Sequence, residues 1–108
     1  MISRIVDCQV RPEKLTEFRK ALNDNFVPRI KTQSGFVDII ESLDLSNGRF
    51  VCNTFWKSSD DVKRYDSGLF QEVATGLMPY LNGDPRVATL EVETSTVHRI
   101  AAGRTAAA

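Results

Sequence analysis

Four stretches of the chain have the branched and aromatic residues or the two-residue apolar period of a β-strand. They lie at residues 2–10, 36–45, 49–56 and 86 to about 100. Asn47-Gly48 separates the second stretch from the third, and this dipeptide supplies the positive φ angles of a tight hairpin turn. The pattern therefore predicts four strands, of which the second and third pair antiparallel and the last is long.

Two other stretches repeat apolar residues every three or four positions, which is the spacing of an amphipathic helix. The first follows Pro12, and we expect the polar run 23–25 to weaken it and Pro28 to kink or end it. The second begins near Ser59 and is interrupted at Gly68. The apolar stripes are Leu15, Phe18, Leu22 and Phe26 in the first, and Val62, Tyr65, Leu69, Phe70, Val73, Ala74, Leu77 and Leu81 in the second.

The order of these elements predicts the fold class. Strand, helix, strand, strand, interrupted helix and strand follow one another, which is the ferredoxin-like βαββαβ order. We predict an α+β fold with a four-stranded antiparallel sheet and helices on one of its faces. Residues 1–100 would form one domain, and residues 101–108 a frayed C-terminal tail with nothing to bury.

Large apolar residues occupy both faces of the second and third predicted strands. In the second, one face is predicted to carry Phe36 and Ile40, and the other Val37, Ile39 and Leu43. In the third, Phe50, Cys52 and Trp56 alternate with Val51 and Phe55. Helices cover one face of such a sheet, so the other face would be a large exposed apolar patch, which monomers rarely carry. We therefore predict a homodimer in which two sheets cover each other, with the long last strand reaching across to the partner.

The charge balance argues against several classes of partner. Fourteen basic and fourteen acidic residues cancel and form no basic run, which disfavours binding to nucleic acid or an anionic membrane. No apolar stretch approaches the roughly 20 residues that cross a bilayer. The first ten residues alternate in polarity, unlike a signal peptide, so we predict a cytoplasmic location.

The residues that commonly bind metals and cofactors are sparse. Cys8 and Cys52 sit in apolar strand patterns and are interpreted as reduced, buried thiols. One histidine, His98, and no close cysteine pair argue against a zinc site. None of the six glycines forms a dinucleotide-binding or phosphate-binding motif. We therefore predict no metal and no cofactor.

Several local motifs together resemble those of one known family. A Ser-Gly-Phe corner at 34–36 is followed by a hairpin ending in Phe-Trp-Lys-Ser at 55–58, an acidic helix start, and Ser-Gly-Leu-Phe at 67–70. This arrangement, over roughly residues 2 to 95, resembles the antibiotic biosynthesis monooxygenase family of dimeric α+β barrels. The resemblance implies a homodimer with a pocket between the sheet and the helices of each subunit.

The resemblance also implies site residues. Trp56 matches the family's Trp at the strand-to-helix corner, Asn53 matches an Asn that holds substrate or oxygen, and Tyr65 replaces a helix His. Asn53 and Trp56 lie an odd number of positions apart, so they share a pocket only if the strand bulges between them. A structural role stays open for each: Trp56 in the core, Tyr65 at the helix edge, and Asn53 bonded to a neighbouring loop or to the dimer partner. The predicted ligand-binding walls are Phe18, Leu22, Cys52, Phe70 and Leu90.

No residue stands out as a general base. The strand carboxylates Asp7, Asp38, Glu41, Glu91 and Glu93 are candidates if buried. The alternative is that they are exposed or pair with Arg4, Arg49 or Arg86. The family's haem-degrading members need a helix His and a first-strand Asn, where this chain has Tyr65 and Asp7, which argues against haem.

Two functions remain open at this point. The first is cofactor-independent oxygenation of a small phenolic or quinol-type compound, in which the substrate anion passes an electron to oxygen inside a dry aromatic pocket. The second is a non-catalytic dimeric module of the same fold that binds a small apolar or aromatic ligand or has a stress-related role. The absence of the helix His favours the second.

Overall fold

The computed structural model describes residues 1–100, whose four strands form one antiparallel sheet. The strands are β1 (Ile2–Gln9), β2 (Phe36–Asp44), β3 (Arg49–Trp56) and β4 (Arg86–Glu91). Their order across the sheet is β2-β3-β1-β4, so the first and third strands are central. The predicted α+β class and ferredoxin-like element order are confirmed.

The first helical region runs from Pro12 to Ile30; it departs from α-helical geometry at the polar run, as expected, but does not end at Pro28. It consists of a 3-10 turn (Pro12–Lys14), α1 (Leu15–Lys20), a π-helical segment (Ala21–Phe26) and α2 (Val27–Ile30). In the π-helical segment, the Val27 N–H donates to the Leu22 carbonyl, five residues back. Pro28 then falls in the first turn of α2, where its missing N–H costs little. The π-helical segment therefore contains the polar run, and the helix continues through Pro28.

The second helical region matches its predicted interruption. It contains α3 (Ser59–Ser67) and α4 (Leu69–Leu77), separated at Gly68, and a 3-10 turn (Met78–Tyr80) ends it. Among residues 1–100, no helix combines the length and apolar character needed to span a bilayer.

The hairpin between β2 and β3 pairs antiparallel as predicted, but its loop has four residues rather than two. Only Gly48 takes a positive φ, 77°, whereas Asn47 does not. The Gly48 N–H donates to the Asp44 carbonyl at 2.8 Å, and the Asp44 carboxylate accepts the Ser46 N–H at 2.9 Å. A Cβ on Gly48 would lie 2.7 Å from the Val10 carbonyl oxygen, so glycine is required here for two reasons.

β2 contains a bulge near its start, so the prediction of which residues lie on each of its faces was wrong. Phe36 pairs with Trp56 and Asp38 with Phe55, so Val37 is the extra residue. Phe36 therefore points to the helices, where its ring meets that of Trp56 edge-on at 5.7 Å, while Ile40 lies on the opposite face. The sequence pattern placed Phe36 and Ile40 on one face because it assumed a strict two-residue period.

The last strand is shorter than predicted. β4 ends at Glu91, which pairs with Ile2, and the Val92 N–H still donates to the Met1 carbonyl at 3.0 Å. Beyond that point β1 offers no further partner. Ser95 and Ile100 instead bridge each other, and the His98 ring lies 6.2 Å from that of Phe55 on the chain's own sheet. The predicted length of this strand is therefore wrong, and the predicted tail at 101–108 lies outside the described residues.

The helices pack on one face of the sheet, which we call the covered face; the other is the open face. The most deeply buried large side chains are Trp56, Phe18, Ile30 and Val10. On the open face, Ile40 and Leu90 are about half exposed, at 50% and 54%. Both faces of the sheet thus carry large apolar side chains, but within residues 1–100 only one face has a helical layer.

Candidate ligand-binding cavity

A cavity of about 60 Å³ lies between the sheet and the helices on the covered face. Five of the residues predicted for the site line it: Phe18, Leu22, Cys52, Tyr65 and Phe70. The rest of its lining is apolar apart from Arg4, Cys8 and Thr54. Phe70, Ala74 and Pro85 are only half-buried, so the cavity borders solvent on their side.

The cap of α3 fixes the position of Tyr65. The Ser58 hydroxyl accepts the Asp61 N–H at 3.2 Å and donates to the Asp61 carboxylate at 2.7 Å. This cap starts the helix so that Val62 and Tyr65 point inward, and Tyr65 is only 3% exposed. Burial raises the pKa of the Tyr65 hydroxyl, so it remains protonated and can donate a hydrogen bond into the cavity.

Trp56 packs against the outer side of Tyr65, a residue that lines the cavity. It is fully buried and its ring stacks on that of Tyr65 at 4.7 Å with an interplanar angle of 29°. Its indole N–H donates to the Thr54 hydroxyl at 2.9 Å, which satisfies its one polar group. Trp56 is not part of the lining, and these contacts favour its structural role over contact with a ligand.

Asn53 and Leu90 do not reach this cavity, which corrects their predicted place in one site with Trp56. β3 pairs with β1 without a bulge from Arg49 to Trp56, so Asn53 lies on the open face. There its side-chain oxygen accepts a hydrogen bond from the Ser3 hydroxyl at 2.8 Å. Leu90 pairs with Ser3 and shares that open face.

The sequence analysis missed the most unusual residue of the cavity, Arg4. Its side chain is 2% exposed, and its guanidinium carbon lies 4.0 Å from the ring centre of Phe70 and 5.4 Å from that of Tyr65. Its Nε lies 2.5 Å from Oδ1 of Asp66, an ion pair without the alignment of a hydrogen bond. The available signal was a single charge on the otherwise apolar face of the first strand.

The other ionisable groups of the lining are neutral at pH 7. Burial raises the pKa of Cys8 to about 11 and that of Cys52 to about 12, far above the ordinary range for a thiol. None of the candidate carboxylates lines the cavity, and neither does the histidine. Asp7 instead lies on the open face, where the Arg49 guanidinium bonds to both its oxygens at 2.7 and 3.1 Å and lowers its pKa.

Two cofactor alternatives can be tested against this geometry. The side chains that replace the haem-binding pair of the family, Tyr65 and Asp7, lie on opposite faces of the sheet and do not form one site. Within residues 1–100, no three His, Cys, Asp or Glu side chains group as ligands for a metal ion.

Solved structures share the whole architecture. A monooxygenase from Streptomyces coelicolor in complex with nanaomycin D superposes with a TM-score of 0.72 at 17% identity, covering 87% of this chain and 88% of its own. A structure named antibiotic biosynthesis monooxygenase gives 0.71 at 15% identity, covering 85% and 98%. A conserved protein from Methanosarcina mazei Go1 gives 0.72 at 22% identity, covering 82% and 89%. No family model and no curated protein matches the chain.

These similarities define the class of fold first: a single antiparallel sheet with helices on one face, spanning most of each chain compared. More narrowly, the chain has the fold of the antibiotic biosynthesis monooxygenases, as the resemblance in its sequence predicts.

Proposed function

We propose that the protein binds a small phenolic or quinol-type compound in the cavity of the covered face and oxygenates it without a cofactor. The observation that carries this proposal is the cavity itself, whose apolar wall includes the rings of Phe18, Phe50, Tyr65 and Phe70. Such a wall fits a flat aromatic ligand. The fold is shared with a structure named as a monooxygenase in complex with an organic ligand, which supports the same reaction class.

The proposed reaction needs only the substrate and molecular oxygen. The phenolate passes one electron to oxygen, and the resulting superoxide joins the ring carbon to form a peroxide. Loss of water from that peroxide leaves a carbonyl. One oxygen atom enters the product, and the other leaves as water with the former phenol hydrogen and the hydrogen of the attacked carbon. The protein's residues orient the ring, exclude water and hold charge, with the Tyr65 hydroxyl as a donor.

The size of the cavity limits the range of compounds that could be the substrate. At about 60 Å³ it is smaller than the roughly 150 Å³ apolar cavity that accommodates benzene. A one-ring compound therefore fits only when side chains on the solvent side, such as Phe70, move outward. We expect single-ring phenols and hydroquinones to bind more tightly than polycyclic compounds.

A second candidate function is non-catalytic binding of the same kind of ligand. It is favoured by the lining, which within the described chain contains no carboxylate or histidine to remove a proton from the substrate. Under this alternative the chain holds an aromatic compound and does not convert it.

Oxygen uptake separates the two candidates. Metal-free protein would be mixed with a panel of phenols, hydroquinones and anthrones, and oxygen consumption compared with the uncatalysed rate. We expect uptake for at least one compound and an approximately tenfold loss of kcat/KM in Tyr65→Phe, which lacks one hydrogen-bond donor. Tyr80→Phe is the matched control because Tyr80 packs against Phe18 but lies outside the lining. Binding without uptake would support the second candidate and reject the oxygenase.

We also propose that residues 1–100 act as one domain in a homodimer whose second copy covers the open face, and that the dimer works in the cytoplasm. The half-buried Ile5, Val51 and Phe55 and the half-exposed Ile40 and Leu90 give this face its apolar character. A second copy would offer the same apolar patch and could bury it through a symmetric contact.

A further inference from the structure

Arg4 is a buried charge in an apolar cavity, which is an expensive arrangement. A guanidinium removed from water loses several kcal/mol of hydration unless opposite charges and hydrogen bonds replace it. Arg4 is 2% exposed and points into a cavity whose lining contains no acidic residue within residues 1–100. The side chain therefore needs a stabilising partner that the lining does not supply.

The partner that Arg4 does have, Asp66, balances it incompletely. A guanidinium carries five N–H donors, and Asp66 meets it at Nε without a well-aligned hydrogen bond. The Asp66 side chain as a whole is 41% exposed, although its Oδ1, which meets Arg4, is buried, so solvent screens only part of its charge. The rings of Phe70 and Tyr65 hold the guanidinium in place but add no negative charge.

The other side chains that line the cavity around Arg4 carry no charge. Cys52 and Tyr65 both interact with the Arg4 charge, yet burial outweighs that attraction and both stay neutral. Thr54 and Thr89, which flank Arg4 on β3 and β4, carry only hydroxyl groups. The charged groups that bear on an oxygen bound beside Arg4 are therefore Arg4 itself, Asp66 from α3, and Glu41 of β2, which pairs with Cys52 and whose charge also raises the pKa of that thiol.

We infer that Arg4 makes the cavity bind small aromatic anions, such as a phenolate or an aromatic carboxylate, in preference to neutral aromatic compounds. Asp66 would weaken this preference because its negative charge offsets that of Arg4. The inference rests on the proposed function only in taking this cavity as the ligand site. A phenol would bind preferentially as its anion, which is the form that reacts with oxygen. Arg4 would thus favour ionisation of the substrate in a cavity that holds no general base.

Binding of 4-nitrophenol tests this selection apart from catalysis, because its electron-poor ring resists oxygenation and its colour reports ionisation. Titrated against pH, the bound phenol should ionise at lower pH than the free phenol. Its phenolate should bind at least about tenfold more tightly than the uncharged ether 4-nitroanisole. Arg4→Met should abolish both effects and leave 4-nitroanisole binding unchanged, whereas Arg4→Lys should keep part of them.

Asp66→Asn gives the sharper test, because it removes the counter-charge and leaves Arg4 in place. We expect it to bind 4-nitrophenolate several-fold more tightly, a gain that a purely structural ion pair does not predict. Glu72→Gln is the matched control, since it removes one carboxylate from the exposed pair with Arg29 and should change nothing.

The outcomes distinguish this inference from the proposed function. Equal preference for phenolate and ether in the folded wild type and Arg4→Met proteins would overturn the role of Arg4. If Arg4→Met does not fold, as judged by circular dichroism, Asp66→Asn decides, and unchanged or weaker anion binding there overturns the inference. Failure of both nitro compounds to bind would reject the cavity as a ligand site. Selective binding without oxygen uptake from any phenol would retain the inference and reject the oxygenase.

Discussion

The two faces of the sheet each carry an arginine–aspartate pair that includes a residue of β1, and the pairs differ in almost every other respect. On the covered face, Arg4 is 2% exposed and meets Asp66 beside aromatic rings in a cavity. On the open face, Asp7 is held by Arg49, whose side chain is 57% exposed, with Arg86 3.9 Å away. Arg4 and Asp7 are three positions apart, so the two-residue period of the strand sends them to opposite faces.

This comparison shows that the environment, rather than the residue type, decides what such a pair can do. An exposed pair contributes about 0–1 kcal/mol to stability and is screened by salt. A buried charge acts through a low dielectric and is costly to leave without a partner. The pair on the covered face can therefore serve binding, while the pair on the open face joins strands at the surface.

The largest expected difference between the faces concerns two neighbouring aromatic residues. Trp56→Ala should lower the free energy of unfolding by about 3–5 kcal/mol, because removing this fully buried ring leaves a cavity in the core next to Tyr65. Phe55→Ala, one position earlier and half-buried on the open face, should cost about 1 kcal/mol. Urea unfolding followed by circular dichroism measures both, and equal costs would contradict the assignment of faces.

The next difference concerns association. Leu90→Lys should raise the dissociation constant of the proposed dimer at least about tenfold, because it places a charge in the apolar contact. Val87→Lys on the same strand is the matched control: Val87 is 48% exposed and faces the helical side. Sedimentation of the wild type and both variants checks the prediction. A monomeric wild type at micromolar concentration would refute the dimer.

The smallest effect is expected for the exposed ion pair. Arg49→Met should destabilise the fold less than Phe55→Ala does and leave ligand binding unchanged. Because Arg49 lowers the pKa of Asp7 in the folded state, its stabilising effect is present above the unfolded pKa of about 3.9 and is lost as pH falls through the lower folded value. The difference in stability between wild type and variant, measured by unfolding, should therefore be larger at pH 7 than at pH 2.

The sequence predicted elements well where one local pattern determines them. The helix stripes, the Gly68 interruption and the antiparallel hairpin all appear in the structure. The length of β4 was mispredicted because a strand needs a neighbour, and the pairing of β4 with β1 ends at Glu91 and Ile2. The bulge at Val37 was missed because one extra residue shifts the phase of a strand without altering its composition.

The candidate site was only partly predictable. Helix periodicity placed Phe18, Leu22, Tyr65 and Phe70 on inward faces, and all four line the cavity. The two-residue period of β3 correctly indicated that Asn53 and Trp56 lie on opposite faces of the sheet. Arg4 was visible as a charge on an apolar face, but its role depends on how α3 docks and brings Asp66 beside it, which no local pattern encodes.

One measurement tests most directly the claim that the covered face holds the ligand. Methyl NMR spectra would be recorded while 4-nitrophenol is added to the isotope-labelled protein. We predict that the methyl signals of Leu22 and Leu77, which line the cavity, shift with added ligand, while those of Ile40 and Leu90 on the open face stay in place. Shifts confined to Ile40 and Leu90 would contradict the account.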